Sequence, residues 1–468
     1  MKILMISTPF ERNLRFNTDI EHINYPLGII YLHPILENEG HIVKTLFCNN
    51  DPYNVFFKKL PKEINSFNPD VIGINVLTMS RVSTFKTINL VQEYWSNIKI
   101  VLGGVHASIA YEQILNKYPK LFVVIGEGEK TFPELLKNIN DKNNLKKVNG
   151  LAFVYNNQLI FTQRRELIRD LESLPFPKHE LFFKGNRDHA FLISSRGCPF
   201  KCSFCCLHTI SRRIYRTRSI EGVIKEIDYL INKFPNLKTI EFTDDTLLLN
   251  IERAKNLMKE LIKKNYGVKF RCSARFKPFD LELAKLMEKA GFHTIMFGLE
   301  TGSRELLKTI HKAITPEEAL LTWKILAKTK INAVPFFIVG FPGENEETIK
   351  ESITLIKKMK KIKHFWFYDI GILLVYPNTE VYDIMKSKGK INDNYWMQDF
   401  DVPLYTVDHD YNQLLKFKNE IIFKTMTYID LFRFILSFIF ITIKKREKPR
   451  FWKERLLVPI LKKLFFLI

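Results

Sequence analysis

The amino-acid sequence predicts an α/β protein of two successive units, a doubly wound parallel sheet and then a partial (β/α)6 barrel, with a helical C-terminal region behind them. Three observations predict it. Residues 1 to about 140 alternate short apolar runs with helical patterns, a second strand-and-helix series begins near Phe191, and beyond about residue 386 the strand pattern stops. At 468 residues the chain is too long for one ordinary core. The expected division is a first unit at 1–145, a hairpin and linker at 146–190, the barrel unit at 191–385 and a helical region at 386–468.

In the first unit the strand signals are KILMIS, HIVKTLF, DVIGINV, KIVLGG and LFVVIG, with a helix near Gly28 to Glu39 after the first. Ligands of such sheets sit outside the carboxyl ends of the strands, which places Thr78 to Ser80, Gly103 to Ser108 and Gly126 to Glu129 at the candidate site. GLAFVYNNQLIFTQRRE reads as a hairpin turning at Asn156-Asn157, and LPFPKHE as an extended linker. The second series is FLISS, KTIEFTDD, VKFRCSAR, TIMFGLE, AVPFFIVGFPGE and HFWFYDIGILLVYP, separated by helical stretches, with working residues expected at the strand ends. Near the end, FILSFIFITI (434–443) is uncharged but too short to span a bilayer, which needs roughly 20 residues.

Composition excludes a disordered or fibrous chain, since 46% of residues are hydrophobic and 26% charged. Four of the six cysteines (Cys198, Cys202, Cys205, Cys206) fall close together, with Cys48 and Cys272 apart. That is a ligand cluster in a reducing compartment, not a disulfide framework. MKILMISTPF runs straight into a strand pattern, so no signal peptide is expected and the cytoplasm is the expected location. The net charge of +21 raises a nucleic-acid reading. The lysines are scattered, however, and an RNA-binding scaffold would leave the cysteine loop unexplained, so no nucleic-acid partner is expected.

The run SSRGCPFKCSFCC sets cysteines at i, i+4 and i+7 directly after an apolar strand. Three thiolates on one loop can hold three irons of a [4Fe–4S] cluster and leave the fourth open to a bound cofactor. The alternative is a structural zinc site that recruits Cys206 or His208 as its fourth ligand.

Cys198-Pro-Phe-Lys-Cys202-Ser-Phe204-Cys205 resembles the signature of the radical S-adenosylmethionine (SAM) superfamily, and the likeness extends over about residues 191 to 382. The resemblance implies that Cys198, Cys202 and Cys205 ligate the cluster and that Phe204 lies near the adenine of SAM. Thr243-Asp244-Asp245 is similar to the element that binds the methionine amino group, and the segment Arg271 to Arg275 to a third-strand element. Phe297 to Ser303, which contains Glu300, and Ile338 to Glu344, which contains Gly340, are similar to later cofactor-binding strands. Asp244 or Asp245 can bind an ammonium, Ser273 can reach a ribose and Arg275 can pair a carboxylate. Without the cysteines, the paired aspartates would read equally as a turn or a helix cap. At Tyr376-Pro377-Asn378-Thr379 the chain departs from relatives, which usually have glycine at the third place.

The first unit resembles the flavodoxin-like cobalamin-binding module fused to one radical SAM subgroup, chiefly through GGVHAS and VVIGEGEKTFPELL. The resemblance implies a corrinoid groove that includes Thr78, Ser80, Gly103, Gly104, His106, Gly126 and Glu127. No histidine is followed by glycine three places on, as in the cobalt-ligating D-x-H-x-x-G form, so His106 is expected as a hydrogen-bonded loop histidine. A degenerate sheet without cofactor is the alternative.

Together these resemblances imply a cobalamin-dependent enzyme, most simply a methyltransferase acting on an unactivated carbon through a 5′-deoxyadenosyl radical and methylcobalamin. Cyclisation, oxidation or rearrangement with the same cofactors is the second reading. The expected partners are a small-molecule or lipid-like substrate and an electron donor such as flavodoxin or ferredoxin. The basic, amphipathic C-terminus from Tyr428 onward suits peripheral contact with the inner face of a membrane, or a helical cap on the barrel.

Overall fold

The computed structural model describes residues 1–11, 26–183, 187–365, 370–398 and 405–430. FILSFIFITI and the basic tail lie outside the described residues, so the expected membrane contact has no structural account.

Strands β1 (Lys2–Ser7), β2 (Ile42–Phe47), β3 (Val71–Asn75), β4 (Lys99–Gly103) and β5 (Phe122–Val124) pair in parallel in the order 2-1-3-4-5. This is the flavodoxin-like doubly wound order. Successive side chains of a strand point to opposite faces. Leu4, Ile6, Ile72, Ile74, Ile100 and Leu102 therefore enter one helix-covered core, while Ile3, Met5, Val71 and Val101 enter the other. Burial on both faces makes the central strands β1, β3 and β4 nearly continuous apolar runs, while the edge strand β2 carries Lys44 and Thr45 and is mostly not buried.

Strands β6 (Leu151–Tyr155) and β7 (Gln158–Phe161) add an antiparallel edge to the same sheet. Asn156 and Asn157 turn the hairpin with φ of 50° and 58°, which a type I′ turn requires and asparagine tolerates. The hairpin thus completes the first sheet and is not part of the linker.

The second sheet is an open arc in the order 15-14-13-12-11-8, all parallel. It comprises β8 (His189–Leu192), β11 (Thr239–Phe242), β12 (Lys269–Ala274), β13 (Phe292–Glu300), β14 (Asn332–Val339) and β15 (Gly371–Ile372). Outward side chains such as Leu192, Phe242, Cys272, Ile295 and Phe337 form the largest core with the surrounding helices. Those helices start at side-chain caps, among them Ser219, Asn250, Asp280, Thr315 and Asn345. Between β8 and β11 lies a two-residue ribbon, β9 (Ser195–Arg196) antiparallel to β10 (Arg216–Thr217).

A segment beyond the barrel ties the two units together. Trp396 is buried, donates its indole N–H to the Val375 carbonyl (2.8 Å) and stacks on Tyr376. Its ring also lies 5.4 Å from the Arg81 guanidinium and 6.1 Å from the His106 ring, both in the first unit. Met397 enters the first unit's core, and its carbonyl accepts from Lys117 Nζ at 2.9 Å. Trp396→Ala should lower stability by about 3–5 kcal/mol, the usual cost of emptying a buried aromatic site, as measured by urea unfolding of the full chain.

Candidate functional site

The cysteines sit on the loop that the β9–β10 ribbon closes. Gly197 begins it with φ 91°, and a Cβ there would stand 2.1 Å from the Ile214 carbonyl oxygen, so only glycine fits between the two ends. The Gly197 N–H donates to Asp245 Oδ2 (2.8 Å), and its carbonyl accepts from the Thr246 hydroxyl (3.1 Å). Further along, Ser203 N–H donates to the Ile310 carbonyl at 3.1 Å.

Cys198, Cys202 and Cys205 are partly buried and close enough to bear on one another's ionisation. Burial pushes the Cys205 thiol up to about 11 and raises that of Cys198. Arg275 places Nη1 3.7 Å from Cys202 Sγ, lies 3.6 Å from the Phe200 ring centre and donates Nη2 to the Lys312 carbonyl.

Cys206 faces elsewhere. It packs on the first unit's core, and burial pushes its thiol up to about 12. His208 commits Nδ1 to the Cys205 carbonyl at 3.0 Å. The four-ligand closure that a structural zinc needs is therefore not assembled, and among the described residues no three histidine, cysteine or acidic side chains converge on one point. A cubane takes its thiolates on separate corners and does not need that convergence. Three thiols on one loop with a guanidinium beside them suit a [4Fe–4S] cluster.

Around this loop the structure separates the paired aspartates. Asp244 is buried and accepts from the Ser194 N–H (3.0 Å), the Ser194 hydroxyl (2.8 Å) and the Ser195 hydroxyl, and burial raises its carboxyl. Its oxygens hold the chain that enters the cysteine loop. Asp245 faces an open cavity. Ser273 is exposed on the inner side of β12, two residues below Arg275. Glu300, at φ 79°, is buried and paired with Lys312 Nζ at 2.6 Å. Phe204 lies 5.3 Å from Phe341, which follows Gly340 at the end of β14. Gly340, at φ 107°, donates its N–H to Glu344. Asn378 adopts φ 60°, a left-handed conformation open to asparagine as well as to the glycine usual there.

The cavity, of about 420 Å³, lies between the carboxyl ends of β1, β3, β4 and β5 and the cysteine-loop side of the barrel. Gly103, Gly104, Gly126 and Glu127 line it from the first unit, and Thr243, Asp245, Arg196, Gly197 and Arg216 from the second. Open space lies where a side chain would stand on Gly103 or Gly126. A glycine floor under an open space suits a flat macrocycle such as a corrin.

Thr78, Ser80 and His106 do not line this cavity. His106 is fully buried, with Nδ1 3.0 Å from the Thr78 hydroxyl, and burial together with the Arg81 charge pushes its pKa down to about 3. Its imidazole is neutral at physiological pH. The Ser80 hydroxyl donates to the Leu77 carbonyl and accepts from the Leu77 N–H, each at 3.2 Å, and this closes a turn.

Sequence reasoning missed Tyr31, Arg196 and Arg216, which also line the cavity. The available signal was the position of the two arginines on either side of the cysteine run. Arg196 Nη1 meets Glu127 Oε1 at 3.0 Å, its Nη2 meets Glu129 Oε1 at 2.7 Å, and Arg216 Nη1 meets Glu127 Oε2 at 3.0 Å.

Fold and site together define a barrel enzyme that faces a cofactor-binding α/β domain across a shared cavity. The radical SAM superfamily model matches residues 192–356, and the B12 binding domain model matches residues 16–136. An uncharacterized methyltransferase of Pyrococcus horikoshii is 30% identical over 389 residues, covering 82% of this chain and 83% of its own. The anaerobic magnesium-protoporphyrin IX monomethyl ester cyclase of Cereibacter sphaeroides is 27% identical over 70% of this chain and 55% of its own. Among solved structures, the cobalamin-dependent radical enzyme OxsB with aqua-cobalamin and SAM bound has a TM-score of 0.69 at 21% identity, covering 84% of this chain and 62% of its own. The radical SAM methyltransferase TsrM of Kitasatospora setae, with cobalamin and [4Fe–4S] cluster bound, has a TM-score of 0.66 at 17% identity over 83% and 75%. The chain belongs to the radical SAM superfamily, in the group that carries a B12 binding domain ahead of the barrel. Its cofactors are accordingly a [4Fe–4S] cluster, SAM and cobalamin.

Two predictions follow from this geometry. Cys198→Ala, Cys202→Ala and Cys205→Ala should each abolish the cluster absorbance after anaerobic reconstitution, whereas Cys206→Ala should keep the iron content of the parent. Glu344 is buried, and burial pushes its carboxyl from 4.5 up to about 7, with the Gly340 N–H opposing. Folding therefore favours its protonated form, so this contribution to stability is full below the unfolded pKa and is lost as pH rises through about 7. Glu344→Gln should leave stability near or below about pH 4 almost unchanged and raise it above about pH 8 by on the order of 3 kcal/mol, measured by urea unfolding of the cofactor-free protein.

Proposed function

We propose that this enzyme transfers a methyl group from cobalamin to an unactivated carbon of its substrate. The observation that carries the reading is the single cavity walled on one side by the glycine floor of the B12 binding domain and on the other by the ends of the cysteine loop. When bound, SAM and the cluster supply a hydrogen-abstracting adenosyl radical, and cobalamin supplies the methyl group. A methyl transfer needs both cofactors within reach of one substrate carbon, and a shared cavity provides that proximity.

In this reading Cys198, Cys202 and Cys205 hold the cluster, with the Arg275 guanidinium beside Cys202. Asp245 and Thr243 line the cavity and suit the amino group of SAM, while Asp244 holds Ser194 and Ser195 at the entry to the cysteine loop. Ser273, at an exposed position on the inner side of β12, suits a ribose hydroxyl. Phe204 beside Phe341 offers an aromatic surface for adenine. Gly103 and Gly126 let a corrin approach the backbone, while Gly104 lets β4 turn closely against Asn75 and Val76. Thr78, Ser80 and His106 brace the floor from below, and the neutral His106 is a structural group.

The name of the Pyrococcus relative supports methylation, and that of the Cereibacter relative favours a second reading in which the same cofactors serve cyclisation. The lipid-like substrate, flavodoxin- or ferredoxin-type reductant and peripheral membrane contact belong to this proposal. Among the described residues no helix is long and apolar enough to cross a membrane. Anaerobically reconstituted protein should contain about four irons and one bound corrinoid per chain, and its turnover should give a product heavier by one methyl group for every two SAM consumed. A product of unchanged carbon count would exclude methyl transfer in favour of the second reading. Iron without corrinoid would leave a radical SAM enzyme that works without cobalamin.

A further inference from the structure

Glu127 comes from the loop between β5 and the helix Gly128–Asn138 of the B12 binding domain. Its partners lie on the barrel side, at the two ends of the cysteine loop. Oε1 meets Arg196 Nη1 at 3.0 Å, on β9 before Cys198, and Oε2 meets Arg216 Nη1 at 3.0 Å, on β10 after the cysteines. Oε2 also accepts from the Ile168 N–H at 2.9 Å, and Arg216 Nη1 donates to the Ile168 carbonyl at 2.6 Å. One carboxylate thus holds both ends of the loop and the linker between the units.

The group is well shielded, with side-chain exposures of 9% for Glu127, 15% for Arg196 and 7% for Arg216. Burial alone would raise the Glu127 carboxyl, but the bond from Arg216 and the charge of Arg196 hold it below the usual carboxylate range. It stays ionised and paired. All three side chains line the 420 Å³ cavity, so whatever fills the cavity touches the same assembly that sets the loop.

We propose that Glu127 is a positioning residue that couples occupancy of the corrinoid groove to the placement of the cysteine loop, so that each cofactor site is sensitive to whether the other is filled. The inference rests on the cobalamin reading of the cavity. A loop free at either end would let the groove and the cluster site fill independently, whereas a carboxylate bonded to both ends transmits a shift of one wall to the other. Such coupling is reciprocal in affinity, and typical couplings run from about 5-fold to 150-fold.

Glu129 provides the comparison. It bonds Arg196 alone, at 2.7 Å, and so grips one end of the loop in the same surroundings. Glu127→Gln keeps size and shape and removes the charge shared by the two arginines. The experiment is anaerobic titration of the full chain with hydroxocobalamin, followed by visible absorbance, on cluster-free and on iron-reconstituted protein. A chelator challenge of the cluster with and without corrinoid gives the reverse direction and reads no turnover.

In the parent protein reconstitution should tighten corrinoid binding by about tenfold, and corrinoid should slow loss of iron correspondingly. Glu127→Gln should bring both ratios to about one while still taking up iron and corrinoid, and Glu129→Gln should retain most of the coupling. Equal corrinoid affinities with and without cluster in the parent would overturn the inference while leaving the cofactor reading intact. So would full coupling in Glu127→Gln, or equal loss in Glu129→Gln. Absence of corrinoid binding in both forms of the parent would overturn the cofactor reading and the inference with it.

Discussion

The two-residue pairing of β9 with β10 closes the loop that carries the site's cysteines, and the protein concentrates its buried polar contacts around that closure. Gly197 fits where no side chain could, against the Ile214 carbonyl. Asp244 gathers the hydroxyls and the N–H of the two preceding serines, Asp245 takes the Gly197 N–H, and Thr246 takes the Gly197 carbonyl. Three consecutive residues after β11 therefore define where the cysteine loop begins. An unpaired charge buried at such a place costs several kcal/mol, and the buried Asp244 carboxylate is multiply bonded.

The two sheets contribute unlike surfaces to the space between them. The first presents backbone, through glycines after β4 and β5, and the second presents side chains, through Thr243 and Asp245 just after β11 and the arginines of the ribbon. Backbone can approach a large flat ligand closely and without strong preference, whereas side chains provide charge and direction. The division follows from topology, since the parallel strands β1 to β5 of the first sheet and the barrel strands direct their carboxyl ends toward one another.

Much of this was legible in the sequence because it is encoded locally. Parallel strands buried on both faces are nearly continuous apolar runs, so the central strands of the first sheet and the barrel series could be read from periodicity. Asn156-Asn157 announced its hairpin through a conformational preference, and the cysteine spacing announced thiolates on one loop. The rest depends on distant partners. Glu127 meets arginines 69 and 89 residues away, and nothing near it in sequence distinguishes a groove ligand from an ion-pair partner. Thr78 and His106, 28 residues apart, are hydrogen-bonded to each other through the hydroxyl and Nδ1, which their positions after adjacent strands did not reveal. Which aspartate faces the cavity depends on the direction of one strand end, so Asp244 and Asp245 were indistinguishable until the serines before the loop were placed beside them.

The segment Tyr395–Met397 joins the two units from a point far along the chain. Its partners Arg81, His106 and Lys117 belong to helices of the first unit, and Trp396 and Met397 reach them across roughly three hundred residues. Contacts so distant in sequence form late, after the elements they join have taken shape. The two walls of the cavity are thus held together in part by a segment that lines neither of them, so a change far from both cofactor sites can alter the space they share.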